Sequence, residues 1–318
     1  MPILSWPGAA LAWLGRQGTR AVAASILVGL AVPPLAAYVK PYLGETVFVL
    51  LLFSYLRTDP SAFRRYLRAP GIALIAALWV MVAVPLIFGT IYALSGVRAA
   101  MPALYTVLIL HIATAPITSS AAFAALMGLD VALSLMTLIA SCALAPLTTV
   151  AFSYWFLGTS LFSPFSLGAK LFFFFAASGA VAYAIRRVAG QAWIERQSDR
   201  IDGLNVIAVF VFAIAAMDGV PRHVMADPLF ALGLLAFVFL LAAIVTALTL
   251  PIFARFGVHR ALVIGLASAF RNLGVIMAAI GTSLPDLAWF YFALAQFPIY
   301  LMPALLKPLA RRLERVKP

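Results

Sequence analysis

The sequence predicts an all-α membrane protein of ten transmembrane helices, and three observations carry that expectation. Of its 318 residues, 65% are hydrophobic and only 10% are charged, with a mean hydropathy of +1.08, whereas a soluble globular domain carries about 25% charge. The apolar residues fall into ten runs, and a bilayer crossing needs about 20 residues. The basic residues, which leave a net charge of +12, sit in short clusters between those runs. They report topology and not a nucleic-acid surface. A water-soluble fold and a large extramembrane domain are excluded, and no nucleic acid is expected as a partner.

The segment through Arg20 has no basic region ahead of an apolar core and no small-residue cleavage site, so it reads as an interfacial lead-in and not as a cleaved signal. Apolar runs follow at about 20 to 39, 43 to 56, 71 to 95, 102 to 127, 130 to 152, 166 to 187, 203 to 219, 228 to 254, 259 to 282 and 286 to 306, the fourth and ninth being interrupted. With ten spans, both termini and every second loop share one side. That side collects seventeen basic residues: Arg16 and Arg20, Arg57 to Arg68, Arg186 to Arg200, Arg255 and Arg260, and Lys307 to Lys317. The other side holds Lys40, Arg98, Lys170 and Arg222, and Arg271 alone falls inside a span. The positive-inside rule then puts both termini in the cytoplasm of a multi-pass cell-membrane protein, the inner membrane for a bacterial chain. Cys142 is the only cysteine and lies in an apolar run, so neither a disulfide framework nor a cysteine zinc site can form within one chain.

Five spans per half is an odd number, so halves that repeat each other, 1–160 and 161–318, must be inverted in the membrane, as in secondary transporters. The fourth and ninth spans occupy corresponding positions in the two halves, and both are interrupted near the middle. In the fourth, Pro116 removes a backbone donor and frees the carbonyls about Ile112, while Thr114, Thr118, Ser119 and Ser120 offer oxygens at the same depth. Two readings stand: a hard-cation site, or a proline kink whose hydroxyls bond back to the helix. In the ninth, Ser268, Arg271 and Asn272 interrupt the run. An arginine inside a span costs from about 2.5 to more than 10 kcal/mol and usually faces a cavity or a partner. Arg271 either holds an anionic substrate or acts as a built-in cation; the alternative is an arginine that snorkels to an interface.

These residues resemble a known family. Ser119-Ser120 before Ala121 to Ser134, with Asp130-Val-Ala-Leu-Ser134 within it, and then Ala145-Pro146-Leu-Thr148, are similar to the fourth and fifth helices of the bile acid:sodium symporter superfamily in its bacterial members. Arg271-Asn272-Leu-Gly274 resembles that family's ninth-helix crossing motif. The resemblance implies a panel domain of spans 1, 2, 6 and 7, a core domain of spans 3 to 5 and 8 to 10, and alternating access of core against panel. It also implies a sodium site, which this chain matches at Ser120, Ser134 and Asn272 and departs from at Ala121, Leu138, Ala267 and Arg271. Thr137 stands one residue from the lost threonine position.

From these departures, the guanidinium of Arg271 is expected to take the place of a bound cation, with sodium remaining as the alternative coupling ion. His111, a turn before Pro116, is either a proton relay or a histidine bonded to a helix carbonyl. Gln296, apolar on both sides, is a substrate-contact candidate, and Asp130 is expected to cap the helix after it. The segment 186 to 202 reads as an amphipathic helix on an anionic leaflet. No glycine-rich phosphate loop, HExxH motif or nucleophile elbow is present, and paired buried acids are missing, so an enzyme is not expected. The expected function is a secondary active carrier of a small organic anion. Its alternative is a sodium-independent or proton-coupled carrier or uniporter, with no cofactor beyond sodium and no obligate protein partner.

Overall fold

The computed structural model describes residues 6–58, 61, 71–159 and 162–315. Among these, the chain is helical throughout and contains no strand beyond one isolated bridge. In chain order the principal helices are α1 (Trp6–Ala31), α2 (Pro33–Leu56), α3 (Gly71–Leu94), α4 (Pro102–Ala113), α5 (Ser120–Met127), α6 (Val131–Leu157) and α7 (Pro164–Ala189). They continue as α8 (Gln191–Arg196), α9 (Ser198–Ala216), α10 (Pro228–Phe253), α11 (Val258–Ala269), α12 (Leu273–Ile280) and α13 (Asp286–Arg315). Six of the described helical stretches are long and apolar enough to cross a membrane, at 33–56, 71–94, 131–157, 164–189, 198–226 and 228–256. The chain is an all-α membrane protein. Arg64, Arg65, Arg68 and Lys317, and the repeat boundary at 160/161, lie outside the described residues.

The first helices differ from the hydropathy reading. A single helix runs from Trp6 to Ala31, where the sequence reading has an interfacial lead-in through Arg20 and then spans at about 20 to 39 and 43 to 56. The chain then breaks at Val32, which leaves the helical region at φ −126° and ψ 70°, immediately before Pro33. Proline disfavours the helical region for its predecessor and fits the first turn of the next helix. α2 therefore begins at Pro33, tightens into one 3-10 turn over Lys40–Tyr42, and ends at Leu56. Hydropathy averages over such a break because Val32, Pro33 and Pro34 are not charged.

The chain divides into two compact units: Met1–Thr58 with Phe174–Pro228, and Asp59–Phe173 with Leu229–Pro318. In the first, α9 packs along α1 and against α2. Gly203 makes the close approach possible, since a Cβ there lies 2.1 Å from the Leu11 carbonyl oxygen. Lys40 pairs with Asp218 at 2.9 Å and Arg57 with Asp202 at 3.1 Å, and both pairs tie α2 to the chain of α9.

In the second unit, α6 is the central post, packed against α3, α4, α5 and α11, while α13 covers α4, α5, α11 and α12. Gly128, at φ 72°, ends α5 in the left-handed conformation that favours glycine. Asp130 then caps α6, its Oδ1 accepting from the Leu133 N–H at 2.9 Å while Oδ2 lies 3.6 Å from Arg260 Nε. At the other end of α12, Lys170 Nζ donates to the Ala279 carbonyl at 2.7 Å, placing a cation on the negative end of a helix.

Candidate functional site at the crossing of two broken helices

The two interrupted runs break as the sequence suggests and meet inside the second unit. α4 stops at Ala113, Thr114 is extended at φ −86° and ψ 162°, and α5 restarts at Ser120. α11 stops at Ala269, Phe270 is extended, and α12 restarts at Leu273. Pro116 and Arg271 form an antiparallel bridge, with the Ile117 N–H donating to the Phe270 carbonyl and the Asn272 N–H to the Ala115 carbonyl, both at 2.8 Å. Backbone groups freed by each break are thus satisfied by the other, as an apolar surrounding requires.

Side chains complete the accounting. Thr149 Oγ1 on α6 donates to the Ala113 carbonyl at 2.8 Å, and Thr114 Oγ1 donates to the Asn272 carbonyl at 3.3 Å. The carbonyls that need partners run from Ala113 to Ala115, one residue beyond the position about Ile112 that a simple proline kink indicates.

Arg271 is the largest fully buried side chain among the described residues, 2% exposed. Its Nε donates to the Ser268 carbonyl at 2.7 Å, Nη1 to the Thr114 carbonyl at 2.9 Å and Nη2 to the Val80 carbonyl at 2.9 Å. One guanidinium therefore joins α11, the end of α4 and the middle of α3. Among the described residues no carboxylate pairs with it. What offsets its burial is the carbonyl set: three charge-assisted bonds contribute roughly 5–9 kcal/mol together, the same size as the penalty for an arginine inside a span. α4 and α11 also end here, each bringing about half a negative charge.

The Val80 carbonyl is available for a local reason. α3 contains a π turn over Trp79–Ala83, in which the Val84 N–H donates back to the Trp79 carbonyl. The same i to i+5 pattern would give Val80 the N–H of residue 85, and residue 85 is proline, which has none. The Val80 carbonyl is orphaned by this pair of features, and Arg271 fills it. Single π turns inside α-helices occur frequently at functional sites.

The remaining sequence candidates fall around this crossing. Ser268 is buried, but its Oγ donates to the Ile264 carbonyl of its own helix at 2.7 Å. Thr118 and Ser119 are half-buried on the turn into α5. Asn272, buried, stands directly before α12, and Ser134, buried, on the first turns of α6. The hydroxyls of Ser119, Ser120 and Thr137 are buried with no hydrogen-bond partner, as is that of Ser141, one helical turn from Thr137. Gln296 is buried on α13, its Nε2 donating to the Phe292 carbonyl at 3.1 Å and its Oε1 unpartnered. His111 does not bond a helix carbonyl; its Nδ1 shares a hydrogen bond with the Tyr291 hydroxyl of α13. Among the described residues no group of three or more His, Cys, Asp and Glu side chains converges.

Sequence reasoning missed Thr149, Tyr291, Ser141 and the Val80 carbonyl. Pro85 was the available signal for the last. Tyr291, within the aromatic run Trp289 to Phe292, and Thr149, beyond Pro146, carry no distinguishing local pattern. Compared with known proteins, the chain matches no protein-family model and no curated sequence, so the functional reading rests on the chemistry of its own residues.

Proposed function

We propose that this chain is a secondary transporter of a small organic anion that works by alternating access, with Arg271 as a resident cation at the point where two broken helices cross. The observation that carries the reading is the guanidinium itself: buried, bonded to carbonyls of α3, α4 and α11, and placed at a bridge between two discontinuous helices. Discontinuous helices at corresponding places in the chain are the hallmark of binding regions in inverted-repeat carriers. With each of its three nitrogens bonded to a carbonyl, Arg271 acts as the built-in cation and not as the anchor for an anionic substrate.

Ten spans in two inverted halves are the proposed architecture. The six long apolar helices, the broken pairs α4–α5 and α11–α12, and the long helices α1 and α13 support that count. An even number puts both termini on the arginine-rich side, the cytoplasm. The division into units supports the panel and core arrangement, since α1, α2, α8, α9 and the later part of α7 gather in one and the crossing helices in the other.

Sodium symport is the second reading, and one observation favours it: the buried Ser120 hydroxyl has no partner, and a sodium ion at Ser120, Ser134 and Asn272 gives it one. Against it stands the fixed positive charge of Arg271.

The test is reconstitution into liposomes and uptake of labelled carboxylates and sulfonates, short and steroidal, with sodium or potassium outside and with or without a pH gradient. Saturable uptake with counterflow, equal in sodium and potassium, is the expected result. Non-saturating flux without counterflow identifies a channel, and uptake that requires sodium identifies the symporter.

A further inference from the structure

We propose that a cleft in the first unit, at the end of α2, binds the headgroup of an amine-bearing phospholipid, with the lipid ammonium on Gln191 and Glu195 and the lipid phosphate on Arg57. This inference does not rest on the transport reading.

The cleft is half open, has a volume of about 170 Å³ and is lined by Leu56, Arg57, Gln191, Ile194, Glu195, Ser198, Ile201 and Asp202, which suits a headgroup and not a whole lipid. Its position in the fold points to lipid. Three apolar helices long enough to cross a membrane end or begin at it: 33–56, 164–189 and 198–226. It therefore opens at the level where such helices leave the hydrocarbon, which is where headgroups lie.

The frame is built from the first unit alone. Arg186 Nη2 donates to the carbonyls of Tyr55, Leu56 and Thr58 at 3.1, 3.0 and 2.9 Å, which fixes the end of α2. Leu56, Ala182, Ile194 and Ile201 form a buried apolar cluster beneath. Trp193, on the short helix α8, is 48% exposed, as an interfacial anchor would be.

The polar walls are of two kinds. On one side, Gln191 Nε2 donates to Glu195 Oε1 at 2.9 Å, and this leaves Gln191 Oε1 buried with no partner. An acceptor in that state beside a carboxylate asks for a donor that carries positive charge. On the other side, Arg57 gives Nη2 to Asp202 Oδ2 at 3.1 Å, while its side chain stays 44% exposed, and a guanidinium fork suits a phosphate. The lining carries one cation and two carboxylates. A purely anionic headgroup meets net negative charge there, and a trimethylated amine brings no N–H for Gln191 Oε1. A phosphoethanolamine zwitterion satisfies both walls.

The experiment uses the full chain, purified and delipidated in detergent, with thermal stability titrated against phosphatidylethanolamine, phosphatidylcholine and phosphatidylglycerol in mixed micelles. Soluble phosphoethanolamine serves as the headgroup control. Phosphatidylethanolamine is expected to stabilise saturably, at a half-saturating mole fraction at least fivefold below that of phosphatidylcholine. Glu195→Gln is expected to remove this preference while melting like the native chain without lipid, because exposed charges contribute little to folding. Gln191→Met, which deletes the buried acceptor, is expected to do the same. The proposal is overturned if the three lipids stabilise alike, if both variants keep the preference, or if soluble phosphoethanolamine acts at the same concentrations as the lipid.

Discussion

Replacing Arg271 by alanine tests the crossing most directly. The substitution leaves the carbonyls of Ser268, Thr114 and Val80 without their donors. At about 1–3 kcal/mol per buried unsatisfied group, the penalty is roughly 3–9 kcal/mol. Removing a buried charge returns several kcal/mol of desolvation, so the net loss is about 3 kcal/mol. At about 2.1 cal/mol/K of unfolding entropy per residue, one kcal/mol moves the melting temperature of a chain this long by roughly 1.5 °C, which predicts a fall of roughly 4–5 °C in detergent. The second half of the prediction concerns the vacated cation position. In Arg271→Ala, sodium at a hundredfold excess over its Kd is expected to restore about 2.7 kcal/mol, or roughly 4 °C, and potassium less. For the native chain no sodium-specific shift is expected. The assay is thermal unfolding of both proteins in matched sodium and potassium. A sodium-specific rise in the native chain refutes the resident-cation reasoning, and an alanine variant that melts with the native chain refutes the anchoring role.

Three further expectations follow from single contacts. Thr149→Val keeps the volume but orphans the Ala113 carbonyl; a loss of about 1–3 kcal/mol is expected, with Thr149→Ser close to native, as read by melting temperature. Gly203→Ala sets a methyl against the Leu11 carbonyl and should destabilise by about 1–3 kcal/mol, whereas Gly233→Ala, with open space around it, should be neutral or stabilising in the same assay. Asp130→Ala removes the α6 cap and the contact with Arg260 for about 1 kcal/mol; Asp130→Asn, which still caps, should lose about half of that or less, and equal losses would contradict the capping account.

How much of this was legible beforehand depends on whether a feature is local. Pro116 among hydroxyls and Arg271-Asn272 in an apolar run mark the breaks because each is a local offence against helix or lipid, and the structure opens the chain at both. The cap at Asp130 follows from an aspartate after a helix-ending glycine. Composition does not reveal that the two breaks hydrogen-bond each other, since that pairing joins residues more than 150 positions apart. The π turn at Trp79–Ala83 escapes hydropathy because every residue in it is apolar; only Pro85 hints that a carbonyl upstream lacks its donor. The break at Val32 carries no charged residue that would divide the apolar run, and its local sign is the pair Pro33-Pro34.

A cation fixed by covalent bonds differs from a bound one in what it does to a transport cycle. A diffusible ion drives a carrier only when it binds one state of the protein more tightly than another, because an equilibrium shifts by no more than that difference in affinity. Arg271 cannot leave, and its bonds run to carbonyls of Val80, Thr114 and Ser268, all within the second unit. If that unit moves as one body, these bonds are the same at both ends of the cycle, so Arg271 offsets the negative ends of α4 and α11 without favouring either state. On the proposed reading the chain thereby keeps the crossing intact at any sodium concentration and gives up the sodium gradient as a driving force at this position. Any concentrative uptake must then draw on another ion. His111 and Tyr291 supply a buried, hydrogen-bonded pair of titratable groups in the same unit. Dependence of uptake on a pH gradient, lost in His111→Gln while counterflow persists, would show that protons take the place sodium vacates. Uptake that never exceeds equilibrium under any gradient would make the protein a uniporter instead.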